Sequence, residues 1–82
     1  LNEARAALAN SQYYRTWLMK LEGLPEETWK PEIESARQTY RLLAESVADA
    51  ELEKRFKEDL ESTIRLARMD ASDLQGLPLP SQ

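Results

Sequence analysis

The side chains that could do chemistry in this chain are its carboxylates, because the sequence contains neither histidine nor cysteine. Histidine is the commonest general base and transition-metal ligand, and cysteine supplies thiolate nucleophiles and disulfides. Zinc, copper, phosphorelay and thiol chemistry are therefore excluded. Acids pair at Glu26 and Glu27 and at Glu58 and Asp59, but acid–base catalysis would require burial that raises a pKa. We interpret these pairs as solvated charges on helix surfaces or in a loop.

Patterns for nucleophilic catalysis, phosphate binding and calcium binding are also missing. The serines at positions 11, 35, 46 and 62 have no histidine to activate them. A glycine-rich phosphate loop is excluded because the two glycines, Gly23 and Gly76, lie far apart. The segment 70–76 places its glycine and its ligands at the wrong positions for a calcium loop. We expect no enzymatic activity, no cofactor, and neither catalytic nor metal-ligating residues.

Charge and hydropathy exclude two classes of partner. The 82 residues include 11 Lys and Arg against 15 Asp and Glu, which gives a net charge of −4. Acids flank the basic cluster at 54–57, so a surface that tracks nucleic-acid phosphates is not expected. No apolar run approaches the roughly 18 residues of a membrane-spanning helix, and no signal-peptide pattern is present. We expect a soluble protein without membrane insertion, and the sequence leaves its compartment open.

The helix that would position most of the large side chains is the first one. The stretch 13–21 concentrates aromatic and apolar residues at helical spacing. Steps of three and four place a further set on one side, as is typical of a helix in a bundle. Tyr13 and Trp17 widen this stripe on one flank, whereas Leu8 and Met19 lie opposite it. The predicted buried stripe comprises Ala4, Ala7, Ser11, Tyr14, Leu18 and Leu21.

Glycine and proline predict where the first two helices begin and end. Gly23, followed by Leu24 and Pro25, predicts that the first helix ends near residue 22. The residue before a proline is pushed out of helical geometry, so we expect a connection over 25–31. Pro31 suits the first position of a second helix, and Trp29 is predicted to plug the end of the bundle.

A shift in apolar phase near residues 46–50 predicts a turn and then a third helix. Asp49, or Ser46 with Asp49, provides a helix-start signal there. Because no glycine or proline enforces this turn, a continuous helix with a stutter remains the alternative. The third helix carries the apolar set Leu52, Phe56, Leu60, Ile64, Ala67 and Ala71.

Together these elements predict an all-α fold, an antiparallel three-helix bundle with helices near 2–22, 32–46 and 50–75. Residues 1–76 would form one helical-bundle domain, and 77–82 an extended proline-rich tail. The alternative is a long helical hairpin that pairs as a dimer.

Part of the second helix resembles a known repeat. Over residues 32–46, the positions of Ala36, Tyr40, Leu43 and Ala44 resemble the second helix of a tetratricopeptide-type repeat. That resemblance implies a peptide-binding scaffold. The segment before it departs from the first helix of such a repeat, and no residue role is carried over.

These observations predict a non-catalytic protein–protein interaction or assembly module that uses its aromatic-rich first helix as the contact surface. We predict partner binding through Tyr13, Trp17, Leu8 and Met19, because Trp and Tyr are enriched at interface hot spots. The partner would be a protein, either a second copy in a homodimer or the rest of a larger parent chain. The alternative is a ligand-binding or sensory domain with an aromatic pocket. Its predicted lining is Tyr13, Tyr14, Trp17, Trp29 and Tyr40.

Overall fold

A computed structural model describes residues 2–75, which form four helices and no strand. The helices are α1 (Asn2–Leu21), α2 (Glu26–Ser46), α3 (Ala50–Arg68) and α4 (Ala71–Gln75). α2 packs against both α1 and α3, and the short α4 packs against α1. The predicted all-α three-helix bundle is confirmed. The predicted tail at 77–82 and the domain boundary at residue 76 lie outside the described residues.

Two polar contacts fix the direction of α1 relative to α2. The side chain of Gln12 donates to Ser35 Oγ at 2.9 Å, and Arg15 pairs with Glu32 at 3.0 Å. Residue numbers rise on α1 as they fall on α2, so the two helices are antiparallel. The turn between α2 and α3 reverses the chain again, and α1 and α3 therefore run in the same direction beside α2.

The end of α1 follows the predicted glycine signal. Gly23 has a φ of +78°, and its N–H donates to the Lys20 carbonyl at 3.0 Å, while Leu24 N–H donates to the Met19 carbonyl at 3.0 Å. These two bonds form a Schellman motif, in which glycine takes the left-handed conformation without a steric penalty. The predicted stop after the first helix is confirmed.

The predicted connection over 25–31 is wrong, because α2 begins at Glu26 and contains Pro31. Pro25 is extended at the cap position, and its carbonyl accepts from Thr28 N–H at 2.9 Å. A proline inside a helix removes one hydrogen bond and crowds the carbonyl four residues earlier, a cost of about 3 kcal/mol. Trp29 and Ile33 bury apolar surface on either side of Pro31 and offset that cost.

The turn between α2 and α3 forms without glycine or proline, as predicted. Val47 leaves helical geometry with φ −83° and ψ 143°. The Asp49 carboxylate then accepts from the N–H groups of Glu51 at 2.8 Å and Leu52 at 3.4 Å, which caps α3. The continuous helix and the long hairpin are thereby excluded.

α3 ends at Arg68, not at residue 75 as predicted. Met69 is extended, and a reciprocal pair of hydrogen bonds then starts α4. Asp73 N–H donates to the Asp70 carboxylate, and Asp70 N–H donates to the Asp73 carboxylate, each at 3.1 Å. This arrangement is a capping box made from two aspartates. It redirects the chain, so that α4 can lie against α1.

The core lies on a different face of α1 from the predicted stripe. Ala4 and Ala7 are exposed, whereas Trp17 is buried with only 7% of its surface exposed. Trp17 and the half-buried Tyr13 carry the largest apolar areas on α1, so burying them decides how the helix rotates. The buried hydrophobic residues are Ala9, Trp17, Ile33, Ala36, Tyr40, Leu43, Ala44, Phe56, Leu66 and Leu74.

Candidate functional site

The N-terminal halves of α1 and α3 are separated by an open groove of about 360 Å³. α1 supplies one wall, α3 the other, and the turn between α2 and α3 closes one end. The apolar lining consists of Ala6, Ala7, Val47, Leu52 and Phe56. The polar lining consists of Asn2, Glu3, Asn10, Arg55 and Asp59. We call this feature the α1–α3 groove.

The groove exists because α1 is built from small residues where it faces α3. Ala6 and Ala7 each extend only a methyl group, and a methyl group does not reach across to the opposite helix. Leu52 is consequently left 42% exposed, although Phe56 one turn further along α3 is buried. A large leucine at the edge of an apolar groove is typical of a surface that another molecule covers.

A buried tyrosine on α2 is hydrogen-bonded to Asn10 of α1, one of the residues that line the groove. Tyr40 on α2 is buried and donates its hydroxyl hydrogen to Asn10 Oδ1 on α1. Burial raises the pKa of Tyr40 far above its ordinary value, and the charge of Asp59 on α3 raises it further. Tyr13 behaves similarly, because burial and the Asp59 charge raise its pKa while Arg65 lowers it. The hydroxyls of both tyrosines are neutral at physiological pH.

Asp59 is the half-buried acid of the groove. Burial raises the pKa of its carboxyl group, Arg55 one turn earlier lowers it, and neighbouring Glu58 raises it again. None of the ion pairs formed within residues 2–75 includes Asp59 or Arg55. The groove therefore holds a carboxylate that is partly removed from water and forms no ion pair in this part of the chain.

The opposite end of the bundle has a lysine in a comparable position. Lys20 is only 7% exposed; its Nζ lies 3.9 Å from the Trp29 ring centroid and donates to the Ala67 carbonyl at 3.5 Å. Burial lowers the pKa of Lys20, whereas Asp70 and Glu26 raise it. The predicted plug at Trp29 thus packs over the end of α1. A cavity of about 370 Å³ adjoins Lys20 and Trp29, between the two turns.

A third cavity, of about 320 Å³, lies on the outer side of α2 and α3. Ile33 and Ile64 supply much of its apolar lining. Arg37 and Glu34 at its edge pair with each other at 2.7 Å. The remaining charged residue of its lining, Arg68, is exposed, unlike the half-buried Asp59.

The predicted partner-binding residues do not form one surface. Tyr13 and Trp17 pack inward with ring centroids 6.4 Å apart, and Met19 is half-buried. Leu8 is 53% exposed and lies about 140° around the helix from Tyr13. Their role in partner binding stays a prediction. The exposed apolar surface beside α1 instead includes Leu52, which the sequence places in the core stripe of the third helix.

The five rings of the predicted aromatic pocket do not converge either. Trp17 and Tyr40 belong to the core, and Trp29 lies at the end of the bundle over Lys20. Trp29 is the one ring among the five that lines any of the three cavities described above for residues 2–75. The sequence signal that could have indicated the groove is the group of alanines in the first half of α1, but Ala4 and Ala7 were predicted to be buried.

Comparisons with protein families, with characterised proteins and with solved structures find no match to this chain. The resemblance of residues 32–46 to a tetratricopeptide-type helix stays a prediction. Across residues 2–75, no helix combines the length and the apolar character needed to cross a bilayer. The same residues contain no group of three acids that could hold a metal ion.

Proposed function

We propose that this chain is a non-catalytic protein–protein interaction or assembly module whose contact surface is the α1–α3 groove. The observation that supports this proposal is an apolar groove of about 360 Å³ with the 42% exposed Leu52 on its edge. α1 keeps the role that the sequence suggested, although it contributes Ala6 and Ala7 rather than its aromatic rings.

The distribution of polar and apolar groups also supports this proposal. Protein interfaces have an apolar centre and a polar rim, and a few well-packed anchors supply most of the affinity. Val47, Leu52 and Phe56 supply apolar lining, and Glu3 and Arg55 add charged groups to the same groove. One partner leucine or phenylalanine that becomes fully buried here would contribute about 1.5–3 kcal/mol.

The partner is a protein, either a second copy of the chain or the rest of a larger parent chain. Light scattering behind size exclusion, at two concentrations about a hundredfold apart, tests the first case. Self-association through the groove predicts a concentration-dependent doubling of the 9.5 kDa mass. Leu52→Glu should abolish the doubling, because it places a charge in the apolar contact. Leu42→Glu is the matched control, because Leu42 is an exposed leucine on α2 outside the groove.

The second case is tested by titrating the protein with amphipathic peptides and following its backbone amide resonances. Binding in the groove predicts shifts at Ala6, Ala7 and Leu52 that the Leu52→Glu variant loses. Circular dichroism would show that the variant keeps its helices. A monomeric mass at both concentrations, together with unshifted groove resonances for every peptide, would refute the proposed function.

A second candidate function is the binding of a small ligand at the Lys20 end of the bundle. The cavity there combines a charged orienting group with the Trp29 ring and the apolar side chains of Met69 and Ala71, as small-molecule sites commonly do. A thermal-shift screen against small metabolites, read beside tryptophan fluorescence, tests this function. A hit that stabilises the wild type and loses its effect in Trp29→Leu supports it, whereas an unchanged hit places the ligand elsewhere.

A further inference from the structure

We propose that the α1–α3 groove recognises a basic amphipathic segment of a partner protein, with a lysine or arginine of that segment reaching Asp59. This inference rests on the proposed function and adds the chemistry of the partner. It depends on the position of a half-buried acid in a groove that is also lined by the apolar residues Val47, Leu52 and Phe56.

Asp59 forms no ion pair within residues 2–75, and the nearby charge of Arg55 only partly offsets its burial, because the pKa of Asp59 stays raised. A carboxylate that is partly removed from water loses hydration, and it is stabilised when an opposite charge or donors replace that water. No ion pair within residues 2–75 supplies that charge. A cationic side chain from a partner would supply it, and a neutral or acidic partner would leave the carboxylate more deeply desolvated.

Arg55 is the basic residue nearest to this position, and it does not block a partner cation. Arg55 is exposed, lies one turn before Asp59 on α3, and takes part in none of the ion pairs formed within residues 2–75. It can turn toward solvent without breaking such a pair. Glu3 on the opposite wall adds a second negative charge to the lining.

The apolar lining sets the spacing that the partner must present. Leu52 and Asp59 are seven residues apart on α3, which corresponds to two helical turns, or about 10 Å. A partner helix lying along α3 would therefore place an apolar anchor against Leu52 and a cation about two turns away. The long apolar stems of lysine and arginine can lie over Phe56 while the charged end reaches Asp59.

The net charge of −4 favours the same class of partner over nucleic acid. An acidic protein attracts basic segments and increases their rate of encounter, and it repels phosphate backbones. The match between an acidic groove and a basic segment then contributes specificity. These arguments lead to a lysine- or arginine-containing helix as the occupant.

Three synthetic peptides of about 14 residues test the inference; they carry leucine at the same helical positions and differ in their polar residues. The polar positions hold lysine, glutamine or glutamate. Fluorescence anisotropy gives Kd for each peptide, and amide resonances show where each binds. We expect the lysine peptide to bind in the groove roughly tenfold more tightly than the glutamine peptide, and the glutamate peptide to bind weakest.

Two pairs of variants separate recognition by Asp59 from general attraction to an acidic protein. Asp59→Asn should weaken binding of the lysine peptide about tenfold, and Glu58→Gln, which removes the same charge from the exposed neighbouring position, should change Kd less than twofold. Leu52→Ala should weaken all three peptides, and Leu42→Ala should leave them unchanged. Equal losses in Asp59→Asn and Glu58→Gln would overturn the inference.

The outcomes distinguish this inference from the proposed function on which it rests. If the glutamine and lysine peptides bind in the groove with equal Kd, the preference for a cation is refuted and the interaction groove stands. If none of the peptides shifts the groove resonances at millimolar concentration, the inference is refuted, and a monomeric mass would refute the proposed function as well.

Discussion

The two halves of the space between α1 and α3 differ in how completely they are filled. In the second half, Trp17 and Lys20 from α1 reach across the bundle, and the Lys20 ammonium group donates to a carbonyl of α3. In the first half, Ala6 and Ala7 leave a groove. The same continuous helix, α1, forms one side of both halves. The size of the side chains therefore decides which half is core and which half is surface.

The two halves also differ in the contacts that their buried or half-buried charge makes. Lys20 is enclosed by the Trp29 ring and a carbonyl oxygen, so its ammonium group has partners within the monomer. Asp59 has no ion-pair partner among residues 2–75. Burial disfavours both charges, since it lowers the pKa of Lys20 and raises that of Asp59. Contacts within the monomer partly offset the lost hydration of Lys20, whereas the nearby charge of Arg55 partly offsets that of Asp59 without an ion pair.

Truncating Trp17 in the filled half should have the largest effect on stability. We expect Trp17→Ala to lower the free energy of unfolding by about 3–5 kcal/mol, because it leaves a cavity in the core. The indole N–H has no hydrogen-bond partner within residues 2–75, so burial of the ring accounts for the effect. Urea denaturation followed by circular dichroism measures it. If the loss is no larger than that of Leu8→Ala at the exposed surface, the filled half does not carry the stability assigned to it.

Removing the link below the groove should have a smaller effect. Tyr40→Phe deletes the hydroxyl that donates to Asn10, so we expect a loss of about 1 kcal/mol near neutral pH. Burial raises the pKa of Tyr40 above its ordinary value of 10.0, so the fold favours the neutral hydroxyl. The stability contributed by that hydroxyl is complete below pH 10 and is lost as pH rises above it.

Urea denaturation of wild type and Tyr40→Phe at about pH 8 and about pH 11 therefore tests whether the stability contributed by the hydroxyl falls as pH rises. The difference between the two proteins should shrink or reverse at the higher pH. Tyr13 and the lysines are present in both proteins and cancel in the comparison. A difference that grows with pH would contradict a buried, neutral Tyr40.

Filling the groove should change binding more than stability. Ala7 is exposed and lines the groove, so Ala7→Leu is expected to change the free energy of unfolding by less than about 0.5 kcal/mol. The added side chain occupies the space of a partner residue, so peptide affinity or self-association should fall about tenfold. Ala4→Leu, at another exposed α1 position that does not line the groove, is the control. Undiminished binding by Ala7→Leu would place the contact surface elsewhere.

Local signals made part of the fold predictable from the sequence. Gly23 and Asp49 act on the backbone within a few residues of themselves, so the ends they set could be predicted without knowledge of the neighbouring helices. The start of α2 at Glu26 could not be predicted in this way, because tertiary packing of Trp29 overrides the local effect of Pro31. The capping box at Asp70 had a local sequence signal, because Asp70 and Asp73 are three positions apart. The continued apolar spacing of Ala71 and Leu74 favoured an unbroken third helix, so the break was not predicted.

The rotation of α1 about its axis and the presence of the groove depend on how side chains from distant parts of the sequence pack together. Apolar and small residues surround most of α1, so several faces satisfy the helical period equally well. The space available to Trp17 between the other helices selects one of them. A groove is the space that side chains fail to fill, and that space follows from the placement of Leu52 and Phe56 relative to alanines more than forty positions away.

The smallest effect concerns the half-buried Asp59 itself. Burial is the main cause of the raised pKa of Asp59, which means that the fold favours its neutral form. The stability that this group contributes is complete below its ordinary pKa of 3.8 and is lost as pH rises through the raised value. Asp59→Asn stays neutral, so its stability relative to wild type should increase between about pH 4 and about pH 7. Glu58→Gln, at an exposed position, should show a smaller change or none.

Urea denaturation across that range measures how the free energy of unfolding changes with pH, and carboxyl titration by NMR measures the pKa of Asp59. If Asp59→Asn instead loses stability as pH rises, the carboxylate is stabilised within the monomer and needs no charge from a partner. If it gains stability and loses affinity for the lysine peptide, the same charge weakens the fold and strengthens recognition. That combination is expected only where a partner, and not the monomer, supplies the opposite charge.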